Sequence, residues 1–237
     1  MVILYVCRST NLAKNLPMLA KDLISDTIPP LKTSDTGLKA LRWMEEFRLN
    51  HLPIVNNVNF LGLLSADDIL ALNAPEEALG NHRLSLSRPY VMEHQHIYEI
   101  IKLIAGQNLS LVPVLNDQHQ YLGAITLQDI LAKLAETGGI QNPGGIIVLE
   151  MNLHDYHLSE IAHIVESNDA VILNAYVSST PDPNKIDVSI KINKTDLSRL
   201  LAAFFRYNYH VKASYHESEF QDDMKKRFES FMNYLNI

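Results

Sequence analysis

One segment of this chain occurs twice, and the duplication limits the possible folds more than any other feature. Residues 52–55 read Leu-Pro-Ile-Val, and residues 61–70 continue with a Leu-Gly pair, a short apolar run and Ser-x-x-Asp. The same order returns at residues 112–115 and 122–131, where the last motif is Thr-x-x-Asp. A period of about 60 residues is too long for a solenoid unit and fits two copies of one small domain.

Each copy predicts the same elements: an extended entry segment, a helix, two strands joined by a turn, and a second helix. The first helix of each copy is predicted from an apolar stripe at helical spacing: Leu38, Ala40, Leu41, Met44 and Phe47 in the first copy, and Ile97, Ile100, Ile101 and Ile104 in the second. The strands have few polar residues, so we expect both of their faces to be covered.

The C-terminal part of the chain has a different pattern. Residues 137–145 are rich in Gly and contain Pro143, which indicates a linker. The following elements are then predicted in order: a strand at 146–151, a helix at 157–165, strands at 170–178 and 185–192, a helix beginning after 195, and a strand at 211–215. This βαββαβ order is typical of a ferredoxin-like domain. A terminal amphipathic helix is predicted from Phe220, Met224, Phe228, Phe231 and Leu235.

The predicted fold class is therefore α+β (an α/β sandwich), with a tandem pair of small domains, a ferredoxin-like domain and a terminal helix. The expected boundaries are an unassigned arm at 1–17, the two repeats at 18–80 and 81–136, the linker at 137–145, the ferredoxin-like domain at 146–217 and the terminal helix at 218–237. We expect either that Met18 is the natural start of the protein or that residues 1–17 form a loose arm.

Composition excludes several classes of function. A formal net charge of −7 and a pI of about 5.8 leave no basic footprint, so we expect no nucleic-acid partner. The single cysteine, Cys7, rules out an internal disulfide and a cysteine-rich metal site and fits a reducing cytoplasm. No apolar run reaches the ~20 residues of a membrane-spanning helix, so we expect no membrane association.

The two Ser/Thr-x-x-Asp motifs are the strongest candidate site. Ser65-x-x-Asp68 and Thr126-x-x-Asp129 each bring a hydroxyl, a carboxylate and helix N-terminal amides to one place. The same pattern is also related to the capping box, in which hydroxyl and carboxylate only bond the amides at the helix start. Both interpretations stay open at this point.

These residues resemble a known arrangement. The Leu-Pro-Ile-Val strand, the Leu-Gly turn exit and the duplicated Ser/Thr-x-x-Asp helix starts make residues 18–136 similar to a tandem pair of CBS (cystathionine-β-synthase-type) domains. Residues 145–217 resemble an ACT-type domain through their element order. The combination resembles small bacterial proteins of the acetoin utilisation protein B type.

The CBS resemblance implies an adenosine-containing ligand, such as AMP, ATP or S-adenosylmethionine, in the cleft between the repeats. In such pairs the Asp of the motif holds the ribose hydroxyls, which here assigns that role to Asp68 and Asp129. Ser65 and Thr126, with the helix amides, are then expected at a phosphate oxygen. Adenine is expected among the entry segments, near Ile28 in the first repeat and Val91 in the second.

The two implied sites differ in the residues ahead of the Leu-Pro strand. The first repeat has Asn50-His51 there, with Arg48 close by, whereas the second has Ser110-Leu111. The first site therefore fits a charged nucleotide if His51 or Arg48 faces the cleft. The second suits an uncharged adenosyl group, or no ligand.

ACT domains of this type bind amino acids through a Gly-containing loop after the first strand. The equivalent loop here is 152–157, and Tyr156 stands where that Gly is expected. Tyrosine disfavours the positive φ that Gly adopts. We therefore expect this half to serve dimerisation or signal transmission.

Catalytic signatures are missing from the sequence. It contains no P-loop, no Gly-x-Gly-x-x-Gly and no Gly-x-Ser-x-Gly. The pairs His94/His96 and His154/His157 have no cysteine companion and no zinc-protease pattern, so we expect no metal ligands. No catalytic residue and no cofactor are predicted.

The sequence thus favours a cytoplasmic, homodimeric, non-catalytic regulatory protein that binds an adenosyl ligand through His51, Ser65, Asp68, Thr126 and Asp129. The alternative is an interaction or oligomerisation scaffold with vestigial pockets. A metal enzyme using the histidine-rich loop is the third hypothesis.

Overall fold

The computed structural model describes residues 18–25, 27–82, 86–137 and 139–215. The chain divides into two compact units, the first ending at Lys133 and the second beginning at Leu134. The arm predicted at 1–17 and the helix predicted at 218–237 lie outside the described residues. Within the described part of the chain, no helix is long and apolar enough to cross a membrane.

The first unit contains both sequence repeats, built in the same way. The elements of the first repeat are α1 (Gly37–Phe47), β1 (His51–Asn56), β2 (Asn59–Ser65) and α2 (Ala66–Leu70). Those of the second are β3 (Val91–Met92), α3 (Ile97–Gln107), β4 (Leu111–Leu115), β5 (Tyr121–Thr126) and α4 (Leu127–Thr137).

Equivalent residues of the two repeats pair in equivalent ways. Strands β1 and β2 form an antiparallel hairpin, as do β4 and β5. Each hairpin has one register shift, between Ile54 and Val55 in the first and between Val114 and Leu115 in the second. The duplication seen in the sequence is therefore a duplication of backbone structure, including its irregularity.

Local capping explains where the first helix of each repeat begins and ends. The Thr36 hydroxyl accepts a hydrogen bond from the Lys39 amide at 3.2 Å, which caps α1. In the second repeat the His96 ring caps α3 through the Tyr98 amide. Both helices end at a residue with left-handed backbone, Arg48 in α1 and the equivalent Asn108 in α3.

The entry segment of each repeat hydrogen-bonds to the other repeat. Ser25, in the entry segment of the first repeat, donates its amide to the carbonyl of Ala124 in β5 at 2.9 Å. Ser87, in the entry segment of the second repeat, accepts at 2.9 Å from the amide of Leu63 in β2. Each hairpin therefore pairs along its outer strand with chain that belongs in sequence to the other copy.

The Leu-Gly pair of the repeat is explained by this exchange. A Cβ atom at Gly62 would lie 2.5 Å from the Leu86 Cβ, which belongs to the crossing segment. A Cβ at the equivalent Gly123 would overlap the Ile24 side chain. Only glycine lets the exchanged segment approach this closely.

The second unit has the predicted βαββαβ order. Its elements are β6 (Gly145–Asn152), α5 (Leu158–Glu166), β7 (Ile172–Ser179), β8 (Lys185–Ile192), α6 (Ser198–Arg206) and β9 (His210–Tyr215). The sheet is antiparallel with strand order β7-β8-β6-β9, which is the ferredoxin-like arrangement. Its core holds Ile147 and Leu149 of β6, Ile186, Val188, Ile190 and Ile192 of β8, and Ile161, Ile164, Leu200 and Phe204 of the helices.

Candidate functional site

The Ser65-x-x-Asp68 motif stands at the junction of β2 and α2 and forms a complete capping box. Asp68 Oδ2 accepts hydrogen bonds from the Ser65 amide at 2.9 Å and from the Ser65 hydroxyl at 2.7 Å. The Asp68 amide donates to Ser65 Oγ at 3.1 Å. The hydroxyl and one carboxylate oxygen are thus already engaged with each other.

The Thr126-x-x-Asp129 motif at the junction of β5 and α4 repeats this geometry. Asp129 Oδ2 accepts from the Thr126 amide at 2.9 Å and from the Thr126 hydroxyl at 2.6 Å, and the Asp129 amide donates to Thr126 Oγ1 at 3.1 Å. Within the described residues, no hydrogen bond reaches Oδ1 of either Asp68 or Asp129. In each motif, Oδ1 is therefore the carboxylate atom that can accept from a ligand.

A chain of hydrogen bonds connects the two motifs. The Ala66 amide at the start of α2 donates to the Asn50 carbonyl at 3.0 Å, and the Asn50 amide donates to Ser110 Oγ at 3.1 Å. On the other side, the Leu127 amide at the start of α4 donates to the Ser110 carbonyl at 3.3 Å. Residues 50 and 110 are equivalent in the two repeats, so equivalent positions connect the two helix starts.

His51 of the first repeat also hydrogen-bonds to Ser110 of the second. Its amide donates to Ser110 Oγ at 3.1 Å, its ring Nδ1 lies 3.1 Å from the same oxygen, and the Ser110 amide points at Nδ1 from 3.3 Å. Since Ser110 Oγ accepts from two backbone amides, its own proton is directed to Nδ1. Nδ1 is therefore an acceptor, and the imidazole is neutral in this arrangement.

Two neighbouring carboxylates act on His51, but burial outweighs them. Desolvation of the half-buried ring lowers the pKa of His51 below its ordinary value of 6.5, while the charges of Asp68 and Asp67 oppose that shift. Arg48 is exposed and is not among the charged groups that shift this pKa. The structure thus places His51 beside the first motif without giving it the positive charge that a phosphate needs.

The lowered pKa of His51 predicts a pH dependence of stability. Because the unfolded chain takes up the proton more readily, the free energy of unfolding should fall as pH decreases from about 6.5 towards the folded-state pKa. We expect urea unfolding curves to show this loss in the wild type and a smaller loss in His51→Gln, which keeps an acceptor but does not titrate. An equal loss in both proteins would contradict a neutral, hydrogen-bonded His51.

The two apolar residues of the entry segments are buried. Ile28 and Val91, proposed from the resemblance as neighbours of an adenine, are buried, with exposed fractions of 8% and 2%. Val91 pairs with Val114 in the parallel contact of β3 with β4.

Ser110 and Asn50 are the residues whose role sequence reasoning missed. The sequence shows only that each precedes the Pro-containing strand of its repeat. Their equivalent positions in the two repeats carried a usable signal, since equivalent residues meet at the axis of a duplicated domain. What could not be deduced is that a serine on one side accepts hydrogen bonds from both Asn50 and His51 on the other.

The second unit holds a polar cleft of about 630 Å³. It is lined by residues of β6, α5, β8, the loop after β6 and the turn before β9, among them Glu150, Asp155, Glu160, Lys185 and Tyr209. The Tyr209 hydroxyl donates to Glu160 at 3.0 Å. Burial and this hydrogen bond raise the pKa of Tyr209 to about 12.

The charges around this cleft are largely paired with one another. Lys185 Nζ lies 2.8 Å from Glu150 Oε1, and Lys212 Nζ lies 2.6 Å from Asp187 Oδ2. The hydrogen bond from Lys185 lowers the pKa of Glu150. Alternation along β6 and β8 placed these side chains on one face, but the sequence alone did not show that they would meet.

Tyr156 follows the first strand of this unit, where a Gly was expected by resemblance. Its backbone has an ordinary extended geometry with φ −76°, and its ring packs against the core of the unit. The loop therefore uses this position for packing.

No group of three or more His, Cys, Asp or Glu in the described part of the chain is arranged to hold a metal ion. His94 lies 3.5 Å from Asp117, and His96 caps α3 and packs edge-on against Tyr98. Both members of the first histidine pair therefore have structural neighbours.

The CBS domain model matches residues 20–74 and 85–136. Among solved structures, a CBS domain pair/ACT domain protein from Thermotoga maritima is 24% identical, with a TM-score of 0.45, and the match covers 50% of this chain and 98% of that one. CBSX2 from Arabidopsis thaliana is 16% identical with a TM-score of 0.43, covering 51% and 96%. CBSX2 in complex with AMP is 18% identical with a TM-score of 0.43, covering 50% and 96%.

Proposed function

We propose that this chain, in which residues 20–74 and 85–136 form a tandem pair of CBS domains, is a regulatory protein that binds an adenosine-containing ligand between the repeats. One observation carries the proposal: the two Ser/Thr-x-x-Asp motifs have the same geometry and are joined through Asn50 and Ser110. CBS pairs are generally regulatory and non-catalytic, and we assign no reaction to this chain.

The chemistry of recognition is a carboxylate accepting from a vicinal diol. Oδ2 of Asp68 and of Asp129 already accepts two hydrogen bonds from its own motif, which fixes the carboxylate. Oδ1 then accepts from the ribose hydroxyls without any rearrangement of the cap. Ser65 and Thr126 act by holding these carboxylates in place, and His51 ties the first motif to the second repeat.

Regulation requires that the ligand bind two states of the protein with different affinities. Since the two motifs are joined through Asn50 and Ser110, occupancy of either motif affects the contact between the repeats. We propose that the βαββαβ unit, which has the element order of an ACT domain, receives this signal and forms a homodimer in the cytoplasm.

Thermal unfolding with AMP, ATP, S-adenosylmethionine and adenosine tests the proposal. A ligand at 100 times its dissociation constant adds about 2.7 kcal/mol, or roughly 5–10 °C in Tm for a chain of this size. We expect such a rise with at least one compound, reduced in Asp68→Asn or Asp129→Asn and unchanged in Asp117→Asn. Asp117 is a suitable control because it is an exposed acid in the β4–β5 turn.

The alternative function is a scaffold without a ligand, favoured by one feature of the motifs. Every described hydrogen bond of Ser65 and Asp68 side chains stays within the motif, as a purely structural cap requires. On this account Asp68→Asn and Asp129→Asn each cost about 1 kcal/mol of stability and alter no ligand response. A Tm that stays flat across the whole panel, in a folded protein, would favour the scaffold.

A further inference from the structure

We propose that the ligand of the CBS pair carries no phosphate, so that the clefts select a neutral or cationic adenosyl compound over an anionic nucleotide. This inference rests on the proposed function. The duplicated motifs alone do not determine whether the ligand is anionic, neutral or cationic.

Most backbone amides at the helix starts already have hydrogen-bond partners. At the start of α2, the Ser65 amide donates to Asp68 Oδ2, the Ala66 amide to the Asn50 carbonyl, and the Asp68 amide to Ser65 Oγ. Only the Asp67 amide has no hydrogen bond within the described residues. A helix start binds phosphate by offering several N–H groups to it, and this one has three of its four engaged.

The backbone amides at the start of α4 are hydrogen-bonded in the same way. The Thr126 amide donates to Asp129 Oδ2, the Leu127 amide to the Ser110 carbonyl, and the Asp129 amide to Thr126 Oγ1. The Thr126 hydroxyl also donates a hydrogen bond to Asp129 Oδ2. A phosphate at either position would have to break a capping box before it gained a hydrogen bond.

The helix starts near the contact between the repeats carry negative charge. Asp67 and Asp68 stand in the first turn of α2, directly after Ser65, which pairs with His51 across β1 and β2. His51 is neutral because Nδ1 accepts from Ser110, so it offers no compensating charge. No ion pair within the described residues neutralises Asp67, Asp68 or the equivalent Asp129. A phosphate near these carboxylates is repelled, whereas a sulfonium or ammonium group is attracted.

Calorimetric titration of the full-length protein in magnesium-free buffer tests this selectivity with four probes: adenosine, S-adenosylmethionine, AMP and ATP. We expect adenosine and S-adenosylmethionine to bind at least about tenfold more tightly than AMP, and ATP to bind most weakly. Raising the salt concentration should strengthen AMP binding, because repulsion is screened, and leave adenosine binding nearly unchanged.

The variant Asp67→Asn identifies the source of the selectivity. It removes one of the two carboxylates beside His51 and keeps both capping boxes, so the affinity for AMP should rise relative to that for adenosine. Asp117→Asn removes the same charge from the β4–β5 turn and should leave the ratio as it is in the wild type.

The outcomes separate this inference from the proposed function. Tighter binding of AMP or ATP than of adenosine would overturn the inference and leave the sensor proposal intact. An unchanged ratio in Asp67→Asn would also overturn it, since the selectivity would then not come from these charges. The absence of saturable binding with all four probes would overturn both.

Discussion

Replacing Phe204 by alanine is expected to lower the free energy of unfolding of the second unit by about 3–5 kcal/mol. Phe204 is fully buried among the core residues of α5, β6 and β8, and its ring meets that of Tyr209 edge-on at 5.7 Å. Truncation removes the buried ring and leaves a cavity that the surrounding sheet cannot close. Domains of this size are stabilised by about 5–15 kcal/mol in total, so the loss is large.

The adjacent Phe205 is the matched control. It lies on the same helix and is 81% exposed. Phe205→Ala should therefore change stability by no more than about 0.5 kcal/mol. Urea unfolding followed by far-ultraviolet circular dichroism measures both variants, and similar losses in the two would contradict the assigned orientation of α6.

Replacing Gly62 by alanine is expected to destabilise the first unit by about 2–4 kcal/mol. Gly62 has φ +154°, and an added Cβ would lie 2.5 Å from the Leu86 Cβ and 2.9 Å from the Ser87 carbonyl oxygen. That carbonyl also accepts the hydrogen bond from the Leu63 amide. The crossing segment cannot move away without losing this bond, so the methyl group strains the exchange between the repeats.

Gly106 is the control, because an added Cβ there has free space around it. It lies near the end of α3, with no atom within 4 Å of an added Cβ. Gly106→Ala should therefore be neutral or stabilising by up to about 1 kcal/mol. Fluorescence of Trp43, the single tryptophan of the chain and a residue of α1 in the first unit, reports the unfolding of both variants. A Gly62→Ala protein as stable as the wild type would contradict the close crossing of residues 86–87.

Local patterns predicted the elements of this chain well because those patterns are set by neighbouring residues. The alternation of Ile186, Val188, Ile190 and Ile192 predicted a half-buried strand, and all four face the core of the second unit. The Ser/Thr-x-x-Asp motifs predicted helix starts, and both form capping boxes. The βαββαβ order was confirmed for the same reason.

The sequence predicted less well which residues of a helix face the core. Leu38 was assigned to the apolar stripe of α1 but is 43% exposed, while Gly37, Ala40 and Met44 are buried. A stripe about 100° wide does not fix its own centre to within one residue. The small Gly37 faces the core because Ile69 and the Pro75 carbonyl pack against it, and these residues are distant in sequence.

Contacts between the repeats could not be predicted from short-range patterns. Residues 18–25 were assigned by sequence to the first repeat, yet Ser25 bonds to Ala124 of the second. Nothing local encodes which hairpin a crossing segment joins. The same holds for His51 and Ser110, which are 59 residues apart and together define the candidate site. The domain boundaries and the ligand roles of the motif residues stay predictions.

The most direct test of the account is calorimetric titration of adenosine and AMP into the wild-type protein and into the double variant Asp68→Asn/Asp129→Asn, with Asp117→Asn as control. The account predicts saturable binding to the wild type and the control, and a loss of at least about tenfold in affinity in the double variant, as expected when a carboxylate that accepts from a ribose diol is neutralised. Saturable binding that is equal in the double variant, or no binding of either compound to the folded wild type, would contradict it.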